Sequence, residues 1–284
     1  MPRRARTALI GAATGVVLLA AIWYAAHYIA LGRSVDASIL RGFADLTRPR
    51  LDRVADFIAH LCDPHKYVFL AALPVIVALV RGRPRVAAML AIVLLCANET
   101  TQLLKPLLSG PRDAVPGVPI DFASWPSGHA TAAMSLALCA VIAAPARRRP
   151  AVAAGMAAFA IAVSYSFLEL GWHYPSDVLG GFLIAGTWTL LGVAGLSIVE
   201  ERAAGSPAES GPTRRPSLSV GEALAPVAVL VALAGVLAGL ILVARPHEVL
   251  TYVRGHEAFV IGAGTIGALG TLLASGLTLM LRRT

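Results

Sequence analysis

The chain has 284 residues, 57% of them hydrophobic and 14% charged, with a mean hydropathy of +0.73 and a formal net charge of +8. No water-soluble domain of this size carries that composition, which excludes a globular cytosolic enzyme. The surplus of arginine does not point to nucleic acid either, because the arginines gather at the ends of apolar runs.

Those runs are about as long as a helix rising ~1.5 Å per residue needs to cross ~30 Å of hydrocarbon. Eight are legible, at about 8–30, 67–80, 86–104, 129–145, 151–170, 178–199, 223–244 and 258–280, the second and fourth being short. Backbone in lipid must satisfy its own hydrogen bonds, so the predicted fold class is an all-α, polytopic membrane helix bundle. Arg3, Arg4 and Arg6 precede the first run, and Arg81, Arg83 and Arg85 follow the second. Arg147, Arg148 and Arg149 follow the fourth, Arg202, Arg214 and Arg215 the sixth, and Arg282 and Arg283 close the chain. If eight spans alternate, all of these lie on one side, which the positive-inside pattern makes the cytoplasm, together with both termini. The first run also starts like a secretory signal, but it is too long for a typical signal core and is read as a span. Usage rich in Ala, Arg and Gly and poor in Lys points to a bacterium with a GC-rich genome, hence to the cytoplasmic (inner) membrane.

Between the first two spans, residues 31–66 form an outer segment. Ile39, Leu40, Phe43, Leu46, Leu51, Val54, Phe57, Ile58 and Leu61 recur there at near-helical spacing among charged residues. The pattern fits an amphipathic helix lying at the interface, or a cap over the bundle. Glu99, inside the third span, is costly to bury alone and is expected to pair with a cation. Residues 201–221 are rich in Gly, Ser, Pro and charge and read as a flexible cytoplasmic linker. The linker separates a six-span core (1–200) from a two-span hairpin (222–284), in which Gly235 and Gly239 have small-xxx-small spacing. Cys62, Cys96 and Cys139 lack metal-site spacing and read as packing residues; no metal or cofactor is expected.

Polar residues at span ends concentrate in three places: Lys105 to Arg112 after the third span, Pro126-Ser127-Gly128-His129 opening the fourth, and His173-Tyr174-Pro175-Ser176-Asp177 between the fifth and sixth. Alternating spans carry all three to one face. Ser127 and Gly128 precede a helix whose first N–H groups lack partners and carry the positive end of the macrodipole, a natural seat for phosphate. Lys105 and Arg112 can neutralise phosphoryl charge. His173 and Asp177 are four residues apart across a helix start, so the carboxylate can hold one ring nitrogen while the other faces phosphorus. An oriented imidazole is a competent nucleophile, and His129 can protonate the departing alkoxide. Taken singly, an interfacial His is commonly a polar anchor and a Lys or Arg a snorkelling side chain. Three clusters on one face argue against that reading.

These residues resemble the signature of the type 2 phosphatidic acid phosphatase family, the lipid phosphate phosphatases: K-x6-R-P, then P-S-G-H, then S-R-x5-H-x3-D, on a six-helix membrane core. Lys105 and Arg112 match the first motif, with Asp113 where proline is usual; residues 126–129 match the second; Ser166, His173 and Asp177 match the third. Phe167 stands where the third motif has arginine. The resemblance covers roughly residues 60–200. It implies a metal-independent phosphohistidine on His173 oriented by Asp177, with His129 serving the leaving group. It also implies that Lys105, Arg112 and the Ser127–Gly128 backbone hold the phosphoryl oxygens of a lipid phosphate or polyprenyl pyrophosphate. Losing one preorganised donor typically costs about 10²–10³ in rate, so position 167 matters. Another cation, Arg41, Arg48, Arg50 or Arg53, can substitute; the substrate can be handled differently; or the chain is a non-catalytic lipid-phosphate binder or transport-associated protein. A vanadate haloperoxidase fits less well, those enzymes being typically soluble. Membrane lipids are the expected surroundings, and the sequence leaves the oligomeric state open.

Overall fold

A computed structural model of the chain describes residues 1–46, 49–204 and 218–282, the side chains of residues 49, 50 and 204 excepted. All eight apolar runs fold as helix. They form α1 (Arg3–Tyr28), α4 (Pro64–Val80), α5 (Pro84–Leu108), α6 (Gly128–Ala143), α7 (Arg149–Glu169), α8 (Pro175–Ala204), α9 (Val220–Ala244) and α11 (Glu257–Met280). Shorter α-helices lie between them: α2 (Ala30–Ala44), α3 (Pro49–Ala59) and α10 (Pro246–Gly255). Among the described residues, six helices, α1, α5, α7, α8, α9 and α11, are long and apolar enough to cross a membrane. The two short runs became the short helices: α6 has 16 residues, and α4 joins the end of α3 at a bend of 62°. The chain is an all-α multi-pass membrane bundle.

The outer segment is two helices, not one. Helix α2 buries Asp36, Ala37, Ile39, Leu40 and Phe43, which makes it a cap over the bundle. Helix α3 leaves Leu51, Val54 and Phe57 exposed, an apolar face suited to the interface. The amphipathic pattern is thus divided between a buried helix and an exposed one.

Helix α6 is the axis of the core, buried along most of its length between α5, α7 and α8. At its start α8 comes so close that a Cβ on Gly181 would stand 2.7 Å from Ser127 O and 2.9 Å from Thr131 N. Only a residue without Cβ permits that approach, and it fixes the N-terminus of α6 against α8.

The C-terminal hairpin divides in its packing. Helix α11 lies against α7 and α2, and a Cβ on Gly262 would meet Ile39 Cγ2 at 2.4 Å. The Tyr165 hydroxyl donates to Ala263 O at 2.6 Å, the Tyr252 hydroxyl donates to Gly42 O, and His256 Nε2 pairs with Asp45 at 2.9 Å. The last helices therefore hold α2 in place. Gly235 and Gly239, by contrast, face open space on α9. Cys62 and Cys139 are buried and Cys96 half-buried, all as free thiols. Glu99 sits on the exposed side of α5 and forms no ion pair among the described residues, so the expected cation partner is not found. Most of the linker, residues 205–217, lies outside the described residues.

Replacing Gly181 by alanine is expected to destabilise the protein by about 1–3 kcal/mol through overpacking at the α6–α8 crossing. Gly195→Ala, on the same helix with nothing within 4 Å of its added Cβ, is expected to be neutral or slightly stabilising. Thermal unfolding of both variants in detergent measures the contrast.

Candidate active site

Each motif reaches the site on a different element. Lys105 lies in the last turn of α5, where a cation suits the negative end of the helix dipole. Arg112 follows in the α5–α6 connection. Ser127 is the N-cap of α6, its hydroxyl accepting from Ala130 N at 3.2 Å, and His129 stands in the first turn. His173 precedes α8 and Asp177 lies in its first turn. The two imidazoles lie close together, with ring centroids 6.5 Å apart. Phe167, fully buried, lines the gap at 5.2 Å from the His173 ring and 6.1 Å from that of His129.

His173 is held in place by Asp177. Its Nδ1 lies 3.3 Å from Asp177 Oδ2, and a carboxylate can only accept, so Nδ1 carries a proton. Asp177 is itself fully buried. Oδ2 also accepts from Tyr174 N at 2.9 Å, and Oδ1 accepts from Arg112 Nη1 at 3.1 Å. Its carbonyl accepts from Ser127 N at 3.0 Å, which ties the start of α8 to the start of α6.

That last bond narrows the expected anion seat. The Ser127 amide is spent on Asp177 and the Ser127 hydroxyl on capping, while the Gly128 and His129 amides have no partner among the described residues. Arg112 is likewise engaged. Besides Asp177 it donates through Nη2 to Asp36 Oδ2 at 2.5 Å and Ser176 Oγ at 2.8 Å, and its guanidinium lies 4.1 Å over the Tyr174 ring. Nη1 also approaches His27 Nε2 at 3.2 Å; His27 Nδ1 donates to Trp23 O, which leaves Nε2 as the acceptor. Lys105 is half-buried, within Coulombic reach of His129, and forms no ion pair among the described residues.

Five contributors were not visible in the motifs. Asp36, on α2, accepts from Ser176 N at 2.9 Å, from Ser176 Oγ at 2.7 Å and from Arg112. His27 comes from α1. Arg33 donates to Asp113 Oδ1 at 3.0 Å, which gives the residue standing in place of the motif proline its own cation. Asp63 lies 3.4 Å from His129 Nε2, and Lys66 lies 3.7 Å from Asp63. The chain has only two lysines, and both reach the surroundings of His129. A carboxylate in an apolar-patterned helix was a signal for Asp36; nothing in the spacing marked Asp63 or Lys66. Of the cations proposed to replace the missing arginine, Arg41 and Arg53 are exposed, and Arg48 and the Arg50 side chain lie outside the described residues.

A family model described as the PAP2 superfamily matches residues 11–197. The chain belongs to the PAP2 superfamily. The match reaches further toward the N-terminus than the motifs do and takes in α1 and α2, the carriers of His27 and Asp36. No curated protein matches this PAP2 chain. Among solved structures it is similar to a transmembrane PAP2-type phosphatidylglycerolphosphate phosphatase from Bacillus subtilis. That match has 22% identity and a TM-score of 0.55, covering 69% of this chain and 98% of the other, and it shows a shared fold. Membership of this superfamily, in a multi-pass membrane protein, supports a lipid phosphatase.

Asp36 gives this PAP2 site a pH signature. Burial pushes its carboxyl up to about 6, outweighing the attraction of Arg112. A raised carboxyl contributes most to stability below its unfolded value, near 3.8, and loses that contribution as pH rises through about 6. Asp36→Asn cannot titrate. Its melting temperature relative to wild type is therefore expected to rise between about pH 4 and pH 7, and a difference that stays flat contradicts the assignment.

Proposed function

We propose that the protein hydrolyses a lipid phosphate or polyprenyl pyrophosphate at the extracytoplasmic face through a phosphohistidine on His173. The observation that carries this reading is the pair of imidazoles 6.5 Å apart, one of them oriented by a buried carboxylate. His173 Nε2 attacks phosphorus and forms the N–P bond as the P–O bond to the lipid breaks, while His129 gives its proton to the departing oxygen. Water then attacks the phosphohistidine, His129 takes the proton back, and inorganic phosphate leaves with His173 restored. Asp177 keeps the proton on Nδ1 and stabilises the positive charge that grows on the ring.

Lys105 and the Gly128 and His129 amides at the positive end of α6 are assigned to the phosphoryl oxygens. Arg112 is assigned to a positioning role: it holds Asp177 from behind. Positive charge that the motif arginine would bring is supplied in this reading by Lys105 and Lys66. The outward orientation rests on Arg4, Arg81, Arg83, Arg147 and Arg149, which gather at the opposite end of the bundle from His129 and His173. The six-span core and the hairpin divide the labour: the core carries the chemistry, and α11 supports it through α2.

His173→Ala is expected to abolish phosphate release from lipid phosphates by the detergent-solubilised protein, and EDTA is expected to leave the wild type active. Turnover that survives in His173→Ala removes the nucleophile, and complete loss of activity in EDTA removes the metal-independent route. Comparing polyprenyl pyrophosphate with glycerolipid phosphates in the same assay separates the substrate classes.

A second reading, a lipid-phosphate binder without turnover, is favoured by Phe167 beside the two imidazoles, where the motif has arginine. Phe167→Arg is expected to raise phosphate release by up to about 10²-fold if the site is catalytic. Tight lipid-phosphate binding with no release from either protein supports the binder.

A further inference from the structure

A cavity of about 490 Å³ lies at the far end of the bundle from His129 and His173. Five arginines line it: Arg4 from α1, Arg81 and Arg83 from the α4–α5 connection, Arg147 from the α6–α7 connection, and Arg149 opening α7. Glu200 is the only carboxylate in the lining among the described residues. Positive-inside arginines ordinarily spread over loops and reach separately into water. Here they come from three places in the sequence to the wall of one hollow.

Part of this charge serves the fold. Arg81 donates to Ala143 O and Arg83 to Ile142 O at 3.3 Å, both at the end of α6, and Arg149 donates to Leu281 O at 2.7 Å, just past α11. These carbonyls form the negative ends of two helices, where cations are favourable. Arg4 and Arg147 hold no such carbonyl, and neither forms an ion pair within 4.0 Å among the described residues. Arg4 has Glu200 within Coulombic reach. Arginine stays protonated at every physiological pH, so the surplus cannot be relieved by deprotonation. An anion in the cavity relieves it.

The rest of the lining states which anion. Met89, Val193 and Leu196 form an apolar wall beside the guanidiniums. A free phosphate would leave that wall facing water; a phospholipid would set its phosphate among the arginines and its glycerol and first methylenes against the wall. We propose that this cavity binds the phosphate-bearing headgroup of an anionic lipid, in the leaflet opposite to the candidate active site. The guanidinium forks suit phosphate oxygens two at a time. The shared chemistry is a phosphate anion, and its source, lipid or solute, is what the experiment separates.

The test uses purified full-length protein in detergent, with cardiolipin, phosphatidylcholine or inorganic phosphate added, read by thermal unfolding and by native mass spectrometry of retained lipid. Cardiolipin is expected to raise the melting midpoint by about 4 °C or more, with little shift from phosphatidylcholine or phosphate. Arg4→Gln and Arg147→Gln together, which leave the helix-end carbonyls capped, are expected to weaken cardiolipin binding at least about tenfold. Glu200→Gln is expected to tighten it, a change of sign that loss of packing does not produce. His173→Ala is expected to bind cardiolipin as wild type does, which excludes the candidate active site as its seat. A shift from inorganic phosphate equal to that from cardiolipin, and abolished by the double variant, overturns the lipid assignment in favour of a solute. Cardiolipin binding unchanged in both the double variant and Glu200→Gln overturns the site itself.

Discussion

A carboxylate buried at the end of a membrane helix must have its charge answered where it stands, and Asp177 has it answered from three directions. The amide of Tyr174, the guanidinium of Arg112 and the ring of His173 all turn to it. Removing one partner of such a buried group typically costs about 3–5 kcal/mol, because the remaining charge is left without compensation. That constraint organises everything around it. Arg112, needed by Asp177, requires a second acceptor for its other nitrogen, and Asp36 on α2 provides it. Asp36 in turn is shared with Ser176, so α2 is fastened to the start of α8. The last helices then fasten α2 from the other side. A site composed of three short motifs thus depends on contacts running from the first span to the last.

The two departures from the family signature have different physical outcomes. Asp113, in place of proline, brings a negative charge beside an already acidic cluster, and Arg33 meets it. That departure is compensated locally. Phe167 brings no charge and replaces one; its ring lies beside both imidazoles and offers no donor to an oxyanion. Compensation there has to come from elsewhere: Lys105 lies within Coulombic reach of His129, and Lys66 reaches it through Asp63.

The bundle is electrically polar along its axis. Guanidiniums crowd one end around helix-end carbonyls; carboxylates, imidazoles and a helix N-terminus crowd the other. Helix α6 joins the two, its positive end at the candidate catalytic gap and its negative end held by Arg81 and Arg83. One buried helix serves both faces through the direction of its dipole.

Hydropathy alone determined that the chain is an all-helical membrane bundle, because lipid leaves backbone polar groups no partner outside a helix. Spacing alone brought His129, His173 and Asp177 to one face, because alternate crossings return span ends to the same side and a four-residue step closes a helical turn. Sequence could not reveal what Arg112 would touch. Its partners Asp36 and Asp177 stand 76 and 65 residues away, and no local period relates residues at such distances. Nor could it divide the outer segment between a buried cap and an exposed helix, since both carry the same amphipathic pattern. Which amphipathic face is covered is decided by what packs on it, here α11 against Ile39. Local periodicity fixed the elements and their sides; the pairing of distant charges and the covering of faces belonged to the tertiary structure, where burial makes an unanswered charge too costly to keep.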